Sequence, residues 1–161
     1  SDYNIDQNRI YACGFSNGGD FSISLACYLS DKITAIASVS GLMSNESIDN
    51  CNPFHKTGVM IFNGTSDFAR PYGGIPNYYL SVSDAIEYWT EFNETDSLSV
   101  MNFNDQNGNN IEYTTYFNDL DHLLVENYKI IDGGHDWFDI DYELKDINQI
   151  IFDFFLTHEI Q

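Results

Sequence analysis

The sequence predicts an α/β protein with a mainly parallel sheet and helices on both faces. Three observations carry that prediction. Strand-like and helix-like segments alternate along most of the chain. The pentapeptide Gly14-Phe15-Ser16-Asn17-Gly18 joins the first strand to the first helix, and loops after two later strands carry Asp67 and His135. Alternation of this kind implies crossover helices, which pack on the two faces of a parallel sheet.

The elements follow in order. A strand over 9–14 ends in the pentapeptide, and the amphipathic segment Phe21 to Leu29 reads as the body of a helix over 17–29. Apolar runs at 33–40 and 58–63 are short enough for buried strands, the second closing in Asn63-Gly64. A helix is expected over 81–93. Next comes a hairpin between Val100–Phe103 and Ile111–Phe117, with Asn107-Gly108 as a two-residue turn signal. A strand over 123–131 and a helix near 144–157 complete the pattern. No internal repeat and no domain boundary is visible, so 1–161 reads as one domain. Cys13, within the first strand, is expected to pack in the core.

The chemistry begins at the pentapeptide. Gly-x-Ser-x-Gly between a strand and a helix is a nucleophile elbow: small residues two places either side of the serine let the backbone turn sharply and present its hydroxyl. The helix that follows aims its first N–H groups at an oxygen that becomes negative during acyl transfer. Such folds place their catalytic residues in the order Ser, Asp or Glu, His. Asp67 follows the 58–63 strand in Gly64-Thr65-Ser66-Asp67, and His135 follows the 123–131 strand in Asp132-Gly133-Gly134-His135-Asp136-Trp137. In this reading Ser16 is the nucleophile, His135 the general base and Asp67 the acid that orients it. The backbone N–H of Asn17 is an oxyanion donor.

These stretches resemble a known group. Asn8 to Gly19, Leu25-Ala26-Cys27, Ile33 to Gly41, Phe62 to Asp67 with Pro71-Tyr72-Gly73-Gly74, Ser81 to Trp89, and Gly133 to Trp137 carry the resemblance. It is to the α/β-hydrolase esterases that include poly(3-hydroxybutyrate) depolymerases, feruloyl esterases and acetylxylan esterases, and it is weakest between Asn93 and Asp121. The resemblance implies an α/β-hydrolase fold and ester hydrolysis without a metal or organic cofactor. It also implies a small-molecule or polymeric ester substrate and an extracellular or periplasmic setting. Cys27 and Cys51 match a pair found in many relatives; a disulfide and two reduced thiols both fit the sequence.

In that fold the second oxyanion donor comes from a loop upstream of the elbow. With the elbow serine at residue 16, the chain is expected to be the C-terminal portion of a catalytic domain whose N-terminal strands are missing. An unpaired edge on the elbow strand then offers a route to self-association. Two other readings use the same residues. A serine peptidase would share the triad, and a non-catalytic binding module would keep the sheet without a working oxyanion hole.

The charge balance narrows partners. With 25 acidic against 6 basic residues and a formal charge of −19, the chain lacks the basic face that nucleic-acid binding needs. No apolar run approaches bilayer length, so no membrane partner is expected. Tyr72 and Trp137, beside the acid and histidine loops, are candidate substrate-binding aromatics; Trp89 and Phe138 share that setting, with core packing at least as good for Trp89. His55, His122 and His158 lack any motif and read as surface or core residues. Asp139, Asp141 and Glu143 read as an acidic solvated loop in preference to a calcium site. Sequons at Asn45, Asn63 and Asn93 matter only on a eukaryotic secretory route.

Overall fold

In the computed structural model, which describes residues 3–118 and 122–160, a six-stranded sheet carries the architecture. The elements are β1 (Tyr11–Phe15), α1 (Asn17–Tyr28), β2 (Ala35–Val39), α2 (Asn45–Asn50), β3 (Gly58–Gly64) and α3 (Val82–Phe92). They continue with β4 (Ser97–Asn104), β5 (Asn110–Phe117), β6 (Leu123–Ile131), β7 (Asp141–Tyr142), β8 (Lys145–Asp146) and α4 (Ile147–Leu156). The sheet order is β1-β2-β3-β6-β5-β4; the first four strands run parallel, while β5 and β4 are antiparallel additions on one side. β7 and β8 form a separate small ribbon.

Burial follows from this order. β2 and β3, near the centre, are buried at every position, as strands covered on both faces must be. One face packs Ile36, Val59, Ile61 and Val125 against Ile23 and Ala26 of α1 and Val82, Ile86 and Trp89 of α3. The other packs Ala37, Met60, Phe62 and Tyr128 against Ile150, Ile151, Phe154 and Phe155 of α4. Helices therefore cover both faces, as the alternation predicts. A disulfide joins Cys27, late in α1, to Cys51 just after α2, which closes the question the sequence left open.

Four expectations need correction. Cys13 is exposed on β1, an outer strand, and is not a core residue. The hairpin turn is a five-residue loop, 105–109, because Asn104 still pairs with Asn110. The Asp105 carboxylate holds it by accepting N–H bonds from Asn107, Asn109 and Asp141. Burial pushes that carboxyl up, but these bonds and the Asn109 side chain together hold it below the usual range. The last helix starts at Ile147, where the Asp146 side chain accepts from Gln149 N; the residues before it form the β7–β8 ribbon. Finally, α2 was not expected; it is six residues long, capped by Ser44, and too short to give a clear helical period.

Candidate active site

The three candidate residues sit beyond the C-terminal ends of β1, β3 and β6, at one edge of the parallel sheet. Ser16 occupies the N-cap position of α1 at φ 54° and ψ −118°, a backbone conformation rare outside glycine. Its amide donates to Val39 O at 2.9 Å, so the turn is fixed to the end of β2. The turn needs Gly14, since a Cβ there would overlap the backbone of Gly18; at Gly18 itself a Cβ meets nothing within 4 Å. Ser44, Ser81 and Asp146 cap their helices with their side chains. Ser16 does not, and its hydroxyl is turned to His135 instead.

The resulting array is continuous. Ser16 Oγ lies 2.8 Å from His135 Nε2, and His135 Nδ1 lies 2.7 Å from Asp67 Oδ2. The Asp67 side chain is fully buried and that of His135 is 17% exposed. Asp67 Oδ1 accepts from the amides of Ala69 at 2.8 Å and Arg70 at 2.7 Å, leaving Oδ2 for the imidazole. With Nδ1–H donated to Asp67, Nε2 keeps the lone pair that can accept the serine proton. Asn17 begins α1, so the helix offers its amide no backbone acceptor.

The loops that carry these residues are laced together. Ser66 N donates to Gly133 O at 2.9 Å, and Asp132 N donates to Thr65 Oγ1 at 2.8 Å. Ser40, in the loop after β2, donates through Oγ to Asp136 O at 2.8 Å. Phe15 lies against the imidazole with ring centroids 5.0 Å apart. Phe68 and Trp137, next to Asp67 and near His135 in the chain, are 88% and 37% exposed.

The other candidates fall in different surroundings. Tyr72 packs against the α1–α3 face of the sheet with Lys129 over its ring at 5.7 Å; burial raises its hydroxyl pKa, while a hydrogen bond from its surroundings at Asn127 pulls it down. Trp89 is fully buried in the core and Phe138 is buried beside α4. His158 is a core histidine whose ring nitrogens lie within 3.0 Å of Leu123 O and 2.9 Å of Phe154 O. Asp139 turns its carbonyl to the side chains of Asn107 and Asn109. Asn63 and Asn93 are fully buried, so those two sequons are closed in the folded chain. Sequence reasoning missed Arg70 and Asp20, which form a shielded ion pair beside Ser16 and Asp67. The available signal was that Arg70 is one of two arginines in the chain and stands three residues after the acid.

A mostly parallel α/β sheet carries Ser16, His135 and Asp67 in one hydrogen-bonded line, an arrangement chemically suited to acyl transfer. Comparison with known proteins points the same way. The chain is 38% identical over 72 residues to feruloyl esterase B of Piromyces equi, a match covering 44% of this chain and 13% of that protein. It is 49% identical over 37 residues to feruloyl esterase D of Neurospora crassa, covering 23% of this chain and 13% of that protein. The matched stretches thus span about an eighth of either relative, 13% in each case. The crystal structure of a thermostable esterase superposes with a TM-score of 0.55 over 99% of this chain and 33% of that one, at 14% identity. No family model matches. The chain resembles feruloyl esterases in sequence and an esterase in fold.

Proposed function

We propose that the chain carries the catalytic triad of a serine carboxylesterase with an α/β-hydrolase fold. The carrying observation is the Ser16–His135–Asp67 line, with both hydrogen bonds at 2.8 Å or less. Nε2 of His135 takes the Ser16 proton as Oγ attacks the ester carbonyl carbon, forming a tetrahedral intermediate. Its oxyanion draws on the Asn17 amide at the head of α1. The imidazolium, held by Asp67, returns the proton to the leaving alcohol as the acyl-enzyme forms. Water then attacks the acyl carbon as it gives a proton to His135, and the imidazolium returns that proton to Ser16 Oγ as the C–Oγ bond breaks and the acid leaves.

The names of the relatives favour a feruloyl ester, and the exposed Phe68 and Trp137 suit an aromatic acyl group. Trp137 is the better supported of the two proposed substrate-binding aromatics, Tyr72 being packed on the sheet face. A secreted setting, extracellular or periplasmic, accords with the Cys27–Cys51 disulfide. No helix among the described residues is long and apolar enough to cross a membrane.

The test is covalent labelling by a fluorophosphonate probe, followed by hydrolysis of nitrophenyl esters, feruloyl esters and peptide amides. Labelling that Ser16→Ala abolishes, with esters cleaved and amides not, is the expected outcome. Equal labelling of the alanine variant sinks the assignment, and preferential amide cleavage would make the site a peptidase.

A further inference from the structure

In a chain with 6 basic against 25 acidic residues, one guanidinium lies beside the candidate triad instead of on the open surface. The side chains of Arg70 and Asp20 are each 15% exposed. Arg70 Nε and Nη2 donate to Asp20 Oδ2 at 3.1 and 2.8 Å, and Nη2 donates as well to Asn17 Oδ1. Nη1 donates to Ala69 O at 3.1 Å, and the guanidinium lies 5.1 Å from the centroid of the Tyr79 ring. These partners commit the group to the protein itself.

The head of α1 and two loops meet at this pair. Asp20 Oδ1 accepts from Leu42 N at 2.8 Å, tying the first turn of α1 to the loop after β2. The Arg70 amide donates to Asp67 Oδ1, so the residue that grips α1 with its side chain holds the acid with its backbone. Asn17, at the other end of the fork, is the residue whose amide heads the helix. A planar guanidinium grips Asp20 through two nitrogens, Nε and Nη2, while Nη1 holds Ala69 O; a lysine ammonium has one nitrogen and cannot reproduce that fork.

We propose that Arg70, anchored by Asp20, is a positioning residue that locks the head of α1 to the Asp67 loop. It keeps the Asn17 amide and the Asp67-held imidazole at one separation. Its kinetic consequence rests on the esterase reading above; its geometric consequence does not. A misplacement of about 1 Å between such groups costs on the order of 10²-fold in rate.

The experiment compares wild type, Arg70→Lys and Asp20→Asn, with Lys145→Ala as a control that opens an exposed ion pair to Asp153. Proton NMR follows the downfield Nδ1–H resonance of His135, and nitrophenyl ester turnover is measured alongside. The proposal expects both site variants to broaden or lose that resonance. It also expects kcat to fall roughly 10- to 100-fold with KM within about twofold, the control being unchanged. A sharp resonance in both variants, or kcat within about twofold of wild type, overturns it. So does unfolding of both, which would make the pair a general stabiliser of the fold. If wild type shows no Ser16-dependent turnover, the esterase reading falls, and the resonance comparison still decides for or against the clamp.

Discussion

Ser16 stands where a helix takes a capping hydroxyl, and its hydroxyl is turned elsewhere. The forgone cap costs about 1 kcal/mol and the positive φ about 1–3 kcal/mol, both held in place by the surrounding sheet. The two glycines of the motif are unequal. Gly14→Ala drives a methyl into the Gly18 backbone and should destabilise by about 1–3 kcal/mol. Gly18→Ala enters open space inside α1 and should be neutral or stabilise by up to ~1 kcal/mol. Urea unfolding midpoints check the pair, and equal losses would contradict this account of the turn. The motif spelled out where the serine turns; it could not say that only one flanking glycine is sterically required. Arg70 stayed hidden for a related reason. Its meaning comes from Asp20, 50 residues away, and spacing along the chain carries no trace of that contact.

At the scale of elements, the strands and long helices were legible because apolar periodicity is local. The exceptions are contacts made across the fold. Asp105 fixes a five-residue loop where Asn107-Gly108 alone signals a tight turn, and it does so partly through Asp141, from the β7 ribbon. β6 carries a second cross-fold feature. Burial pushes Glu126 up to about 7, with hydrogen bonds from Tyr113 and Tyr128 acting the other way. Its folded value exceeds the ordinary 4.5, so the fold favours the protonated form. The stability this contributes is complete below about pH 4.5 and is lost as pH rises through about 7, a total of ~3 kcal/mol. Wild type should therefore lose about that much more than Glu126→Gln between pH 4.5 and 8 in denaturant titrations; parallel curves would refute it. The disulfide closes a 24-residue separation between α1 and the end of α2, and replacing both cysteines with serine should cost about 3 kcal/mol, read as a lower thermal midpoint.

Across the whole molecule, charge is the dominant field. Arg9, Lys56, Arg70, Lys129 and Lys145 are each paired to a carboxylate, yet most acidic groups have no cation to face at a net −19. Self-repulsion of this size weakens the compact state and is screened by salt. Raising NaCl from about 20 mM to about 0.5 M should raise the melting temperature, most steeply at the dilute end where the Debye length is longest. A flat or falling midpoint would show that the carboxylates are spaced widely enough to ignore one another. The placement of the proposed triad carries a kinetic consequence as well. Ser16 and His135 are 119 residues apart and His135 and Asp67 are 68 apart, so their contacts close only when β1, β3 and β6 share one sheet. Non-local contacts of this kind form late, after the loops between them have been ordered. During refolding from denaturant, reactivity at Ser16 should lag behind the return of helical signal. The moment it appears marks the joining of the parallel strands, which makes the serine a clock for assembly of the sheet.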